Sequence, residues 1–228
     1  MKRLKEGMMF FLTWLVACQS NAIKVDGSAS SRGDASVFLS ACGQQNPTAI
    51  ALQKAVKTTD CEKAWLTLST VTELSMNGAG LSDLSPIAGM INLEKIAAYG
   101  NGISDLSPLS KLSHLSELRL MKNQIVDIAP LQDLLQLTVL RLDGNQIVDI
   151  SLLPKLQRLE RLGLDSNQIS DFRPLAELTE IQSMNTNFNP ADPDKCPVEG
   201  PGPKQLYKHC KRVHKYQAEM QDAIDPKQ

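Results

Sequence analysis

Every 22 residues the chain repeats itself. Asn101, Asn123, Asn145, Asn167 and Asn189 fall in one column of a 22-residue layout. Two positions on stand Ile103, Ile125, Ile147 and Ile169, with Leu81 ahead of them. Two further on come Asp83, Asp105, Asp127, Asp149 and Asp171. Prolines follow at Pro86, Pro108, Pro130 and Pro174, with Leu152 in the missing slot, and leucines recur at Leu112, Leu134, Leu156 and Leu178 and at Leu118, Leu140 and Leu162. The match runs from Val71 to Pro190. A fixed period held over so many rows marks a solenoid, because each row buries its apolar face only against its neighbours.

Each column has a physical reading. Glu117-Leu118-Arg119-Leu120-Met121 alternates outward and inward, the period-2 pattern of a short strand. The same segment one row later pairs beside it in parallel, so the inward leucines stack into one core. The Asn column sits where the chain leaves the strand, and an inward amide there bonds turn backbone that no ladder satisfies. Asp105-Leu106-Ser107-Pro108 reads as the start of a helical turn, with Ser as cap and Pro at the first position.

The row Leu115 to Leu134, LxxLxLxxNxIxDIxPLxxL, resembles the 22-residue leucine-rich repeat of internalin-type bacterial surface proteins. That resemblance implies an α/β architecture: a right-handed curved solenoid with about six parallel strands on the concave face and short helical turns outside. It also implies recognition of a protein through the concave face. The first row departs from the pattern, with Ala79 where Asn is expected, and the pattern stops after Asn189-Pro190. Atypical end rows are normal in such arrays.

The ends need covers. Asn46-Pro47 opens a helical stretch to about Thr58, and Asp60 caps a second helix carrying Cys61, Ala64, Trp65 and Leu68 on one stripe. After the array, Pro203 begins a helix with Leu206, Cys210, Val213 and Met220 on one side and Lys204, Lys208, Lys211, Arg212 and Lys215 on another. Both ends are expected to be disulfide-stapled. Pairing Cys42 with Cys61 closes a loop of about 19 residues and Cys196 with Cys210 one of about 14, each stabilising by roughly 3 kcal/mol in the loop-entropy model. Other pairings would have to join the two ends of the array, which its length forbids.

The fifth cysteine has another use. Lys2, Arg3 and Lys5 precede ten apolar or near-apolar residues, MMFFLTWLVA, then Cys18. That run is too short to cross a hydrocarbon core, which needs about 20 residues. It has the pattern of a secretory signal peptide, and Leu15-Val16-Ala17-Cys18 resembles the bacterial lipobox, whose cysteine carries the lipid. An ordinary signal peptide cleaved near Ala17, or an uncleaved anchor, is the alternative. The organisation expected is a lipoprotein signal peptide at 1–17, lipidated Cys18 with a flexible linker at 18–40, an N-terminal cap at 41–70, repeats at 71–190 and a C-terminal cap at 191–228. The linker contains Arg32-Gly33-Asp34, a triplet some adhesion receptors read, though three polar residues in a linker arise readily by chance. Gln19 after the lipidated cysteine resembles lipoproteins sent to an outer membrane.

Chemistry is sparse. No nucleophile elbow, HExxH or glycine-rich phosphate loop occurs, so no enzyme activity is expected. The stacked Asp column suggests a calcium ladder, but turn-capping by each carboxylate accounts for it without metal, so no cofactor or metal is expected. A formal net charge of −1 gives no strong pull toward nucleic acid. Function then rests on what the rows do not repeat. The outward strand columns read Glu73, Lys95, Glu117, Val139, Arg161, Ser183; then Ser75, Ala97, Arg119, Arg141, Gly163, Asn185; then Asn77, Tyr99, Met121, Asp143, Asp165, Asn187. Tyr99, Arg119, Met121, Arg141 and Arg161, edged by Asp143 and Asp165, form the candidate protein-binding patch, because aromatic, Met and Arg side chains are enriched at interface cores. Six strands give a face of about 400 Å² flat, about 700 Å² with side-chain relief, against about 800 Å² per partner in a standard interface. The expectation is a monomeric, lipid-anchored envelope protein binding a small protein partner. The alternative is a structural or polysaccharide-binding tether that uses the basic terminal helix.

Overall fold

The computed structural model describes residues 24–25 and 33–224. Cys18, the signal-peptide segment and Arg32 lie outside the described residues. Six parallel strands follow one another in chain order: β2 (Val71–Ser75), β3 (Lys95–Ala97), β4 (Glu117–Arg119), β5 (Val139–Arg141), β6 (Arg161–Gly163) and β7 (Ser183–Asn185). A two-residue strand, β1 (Lys24–Val25), adds an antiparallel edge on β2. Each parallel register is offset by one row, so Leu74, Ile96, Leu118, Leu140, Leu162 and Met184 are direct ladder neighbours. All six are buried. A leucine taken fully out of water stabilises by roughly 1.5–3 kcal/mol, and repetition of the column makes the core continuous.

The Asn column binds row to row. Asn145 accepts from the Ile125 amide at 3.0 Å in the preceding row. Its Nδ2 donates to Leu120 O at 3.0 Å in that row and to Leu142 O at 2.9 Å in its own. Asn123 and Asn167 repeat the arrangement, and Asn101 and Asn189 do so at the ends. The residue before each column position has positive φ: Gly78, Gly100, Lys122, Gly144, Ser166 and Phe188. One sharp left-handed residue turns every row off its strand.

Short 3-10 turns carry the chain back outside the sheet at Ser85–Ile87, Ser107–Leu109, Ala129–Leu131, Leu153–Lys155 and Arg173–Glu177. Asp, not Ser, starts them. Asp83, Asp105, Asp127, Asp149 and Asp171 each accept from the backbone N–H two residues on, at 2.7–3.0 Å. The Ser85 and Ser107 hydroxyls donate to the other oxygen of the same Asp, because a serine already inside the turn cannot cap it. Leu152 occupies the proline column because the fourth turn starts two residues late and carries Pro154 instead.

Three helices close the N-terminal end: α1 (Ala35–Gly43), α2 (Pro47–Ala55) and α3 (Cys61–Leu68). The last two match expectation, capped by Asn46 and Asp60. The first falls largely inside the segment expected to be linker. Asp34 caps it by accepting from Ser36 N–H, and Phe38 is fully buried. Gly33 and Gly89 meet backbone to backbone, and a Cβ on either would overlap a carbonyl of the other segment. Gly33 and Asp34 therefore belong to a helix start set against Gly89. The C-terminal end is closed by one long helix, α4 (Lys204–Ile224). Both expected disulfides are present, Cys42–Cys61 and Cys196–Cys210. No helix among the described residues is long and apolar enough to cross a membrane.

Candidate functional site

The outward columns lie in strict register across the concave sheet. Ala97, Arg119, Arg141 and Gly163 are successive ladder partners, as are Lys95, Glu117, Val139 and Arg161. Tyr99 and Met121 stand at the strand ends on adjacent rows, linked by Met121 O accepting from Gly100 N–H. The five residues expected to bind are thus brought onto neighbouring rungs. Tyr99 is 39% exposed, unusual for an aromatic on a packed sheet, and Lys122 Nζ sits 5.4 Å from its ring centroid. The Tyr99 contact pushes the Lys122 ammonium pKa up. A cation over an aromatic face orients both groups without covering the ring edge.

The arginines differ in their surroundings. Arg119 pairs with Glu117 on its own strand at 2.5 Å, and Arg141 with Asp143, just past the end of its strand, at 2.7 Å. Exposed pairs of this kind contribute only about 0–1 kcal/mol to stability. Arg141 lies across Gly163, where any Cβ would strike its Nε and the Asp143 carboxylate. Glycine at that rung makes the room for the pair. The Arg161 side chain makes no hydrogen bond or ion pair among the described residues, and its backbone N–H donates to Thr138 O at 3.0 Å.

Two expected edge residues have structural duties. Asp143 accepts from Asp165 N–H at 3.3 Å, and Asp165 from Asn187 N–H at 2.6 Å, as Asn77 does from Tyr99 N–H. These side chains tie the end of one rung to the next. Val139, read as an outward residue, is covered, at 4% exposure, between its ladder partners Glu117 and Arg161. Sequence reasoning missed Lys122, and noted Phe188 only as an aromatic available to a glycan. Their common signal was the position just before the Asn column, where Gly recurs and a large side chain is out of place.

No metal site competes for these residues: among the described residues no group of three or more His, Cys, Asp and Glu side chains is placed to hold a metal ion. A family model for leucine-rich repeats, in two copies, matches residues 135–177. The fold is a leucine-rich-repeat solenoid. An internalin of Listeria monocytogenes is 34% identical with a TM-score of 0.56, over 58% of this chain and 39% of that one. Internalin C2 of the same organism is 27% identical with a TM-score of 0.50, over 72% of this chain and 81% of that one. A leucine-rich-repeat protein of Leptospira interrogans, 24% identical with a TM-score of 0.53 over 58% of this chain and 35% of that one, shares the fold. No curated protein matches the chain. The leucine-rich-repeat solenoid thus spans less than two thirds of the first internalin.

Proposed function

We propose that this protein is a lipid-anchored recognition module of a bacterial cell envelope, held at an outer membrane, that binds a protein through its concave sheet. One observation carries the binding surface: Tyr99, Arg119, Met121, Arg141 and Arg161 sit on neighbouring rungs of a face whose folding requires none of them. Every inward column is filled by buried aliphatic side chains or by the Asn ladder, so stability is supplied elsewhere. The likeness to internalins supports a bacterial surface setting, and Leu15-Val16-Ala17-Cys18 supports the lipid. With Cys18 acylated, the lipid is the anchor that remains after signal cleavage. Arg119, Arg141 and Arg161 would steer an acidic partner, so association should weaken with salt.

The test is capture of a partner by the intact protein, followed by a Tyr99→Ala, Arg141→Ala double variant checked for its fold by circular dichroism. Loss of about 1–3 kcal/mol of binding per true anchor is expected. Affinity equal to the unmodified protein would remove the concave face from the proposal. For the anchor, Cys18→Ala should abolish partitioning into detergent, and a cleaved variant that still partitions would refute lipidation.

A further inference from the structure

The outer face of α4 carries a charge pattern that the fold does not explain. Lys204, Lys208, Lys211, Arg212 and Lys215 are all exposed, and their spacing of i, i+4, i+7, i+8 and i+11 puts them on one side of the helix. Together with Tyr207 they line one shallow groove. Among the described residues Lys204, Lys208 and Lys211 have no acidic partner, Lys215 pairs with Glu219 at 3.6 Å, and Arg212 donates only to Asn187 Oδ1 at 3.3 Å. Like charges at i+3 and i+4 repel, and cations in the first turns oppose the helix dipole. The stripe therefore works against the helix that bears it.

A second feature lies beside it. Phe188 follows Asn187, the residue Arg212 reaches, and is 83% exposed. Its φ is +58° at a position where other rows use Gly78, Gly100 and Gly144. A bulky side chain in the left-handed region is strained, and one that is also solvated adds nothing to the core. Two unfavourable features adjoin at one end of the molecule, one cationic and one aromatic.

We propose that the basic groove of α4 docks a linear acidic polysaccharide, with carboxylates or sulfates along the lysine stripe and a sugar ring reaching past Asn187 to Phe188. Several observations favour that occupant. The stripe is a line about 16 Å long, the shape of an extended chain. Four of its five cations are lysines, hydrated point charges that suit spaced anions better than the forked recognition of a single carboxylate. The apolar side of α4, with Leu206 and Cys210, is buried on the array, so this stretch cannot turn that side into a lipid layer as an interfacial helix does.

The test measures binding of the full chain, with non-ionic detergent held below its critical micelle concentration, to polygalacturonate, heparin, neutral dextran and phosphatidylglycerol vesicles. Binding to polygalacturonate or heparin is expected, weakening as salt rises from about 50 to about 500 mM, with none to dextran. Lys208→Glu with Lys211→Glu should weaken it about tenfold or more, since reversal adds repulsion to lost attraction. Phe188→Gly should weaken it about threefold while melting no lower than the parent, because glycine accepts this φ without strain. The Tyr99→Ala, Arg141→Ala variant should bind polysaccharide unchanged, which separates this site from the concave face. Failure to bind either acidic polymer, equal binding to dextran, binding to vesicles alone, or unchanged binding by the Lys208/Lys211 variant would overturn the proposal.

Discussion

The two ends of the solenoid solve one problem in different ways. At the N-terminal end three short helices add Phe38, Ala49, Leu52, Ala64, Trp65 and Leu68 to the core, all buried, with Phe38 and Trp65 rings 5.8 Å apart. Side chains lock this cap to the first row, where Thr48 donates to Asp83 O at 2.6 Å. At the C-terminal end one helix supplies Leu206, Cys210 and a histidine. His209 packs on Phe172 at 5.2 Å, and its Nε2 has no hydrogen-bond partner among the described residues. The N-terminal end is covered by many apolar contacts. The C-terminal end has few, and includes a polar defect that costs on the order of 1–3 kcal/mol. The contrast teaches that closing an array needs one apolar layer, and that a single-helix cover leaves its outer face free to carry charge.

The sharpest way to break this comparison is to cut each cap at its centre. Phe38→Ala should cost about 3–5 kcal/mol and Leu206→Ala about 2–4 kcal/mol, by lost burial plus cavity. Urea unfolding by circular dichroism gives the total. Trp65, the only tryptophan among the described residues, reports the N-terminal end. A larger loss from Leu206→Ala than from Phe38→Ala would reverse the ranking.

Next come the disulfides. Their loops, 19 and 14 residues by sequence separation, predict nearly equal stabilisation of about 3 kcal/mol each, differing by about 0.3 kcal/mol. If the caps differ as described, removing Cys196–Cys210 should open α4 to hydrogen exchange while β2–β5 stay protected, since one helix lacks other fastenings. Removing Cys42–Cys61 should leave α1–α3 partly protected. Equal local loss at both ends would show that the bonds, rather than the packing, hold both caps.

The smallest effect is on pH. Burial pushes the His209 pKa below its ordinary value, and the nearby Arg212 charge pushes the same way, against Asp165. The unfolded chain therefore takes up this proton first. Stability is unaffected above the ordinary histidine pKa of about 6.5 and falls as pH drops below it toward the lower folded value. At the other end burial raises the Asp83 pKa, but the Ser85 amide and hydroxyl and the Asn46 amide outweigh it and hold the carboxyl below its usual range. That contribution is present above the ordinary carboxylate pKa of about 4 and is lost only as pH falls through the folded value. Between these limits α4 should loosen while α1–α3 hold. Hydrogen exchange corrected for intrinsic rates, at about pH 7 and about pH 5.5, measures it. His209→Phe should remove the difference, and equal loosening at both ends would contradict the polar defect as its source.

Much of this was readable in advance, for local reasons. The inward leucines follow from period-2 alternation, and their stacking from the constant row length. Asn145 had to serve turn backbone because no other inward polar side chain recurs there. Both cysteine pairs followed from which cysteines lie on the same side of the array. Helix α1 was missed because its start continues a run of small and polar residues, and Asp34 as a cap looks the same as Asp34 in a linker. Asp as a turn cap was readable from its column, and Ser was read as a cap beside it because both side chains cap helices and only their positions relative to the first turn distinguish them.

The sequence by itself determined the solenoid, its six parallel strands, its Asn ladder and its two staples, because each depends on residues repeated at a spacing that one row imposes on the next. Tertiary structure decided the fate of the residues that do not repeat. Asp143 and Asp165 became rung ties, Val139 was covered, Arg141 folded across Gly163, and Phe188 was left exposed beside the basic helix. Those outcomes depend on neighbours a full row away or on another element, and only packing sets which of the partners within reach a side chain takes.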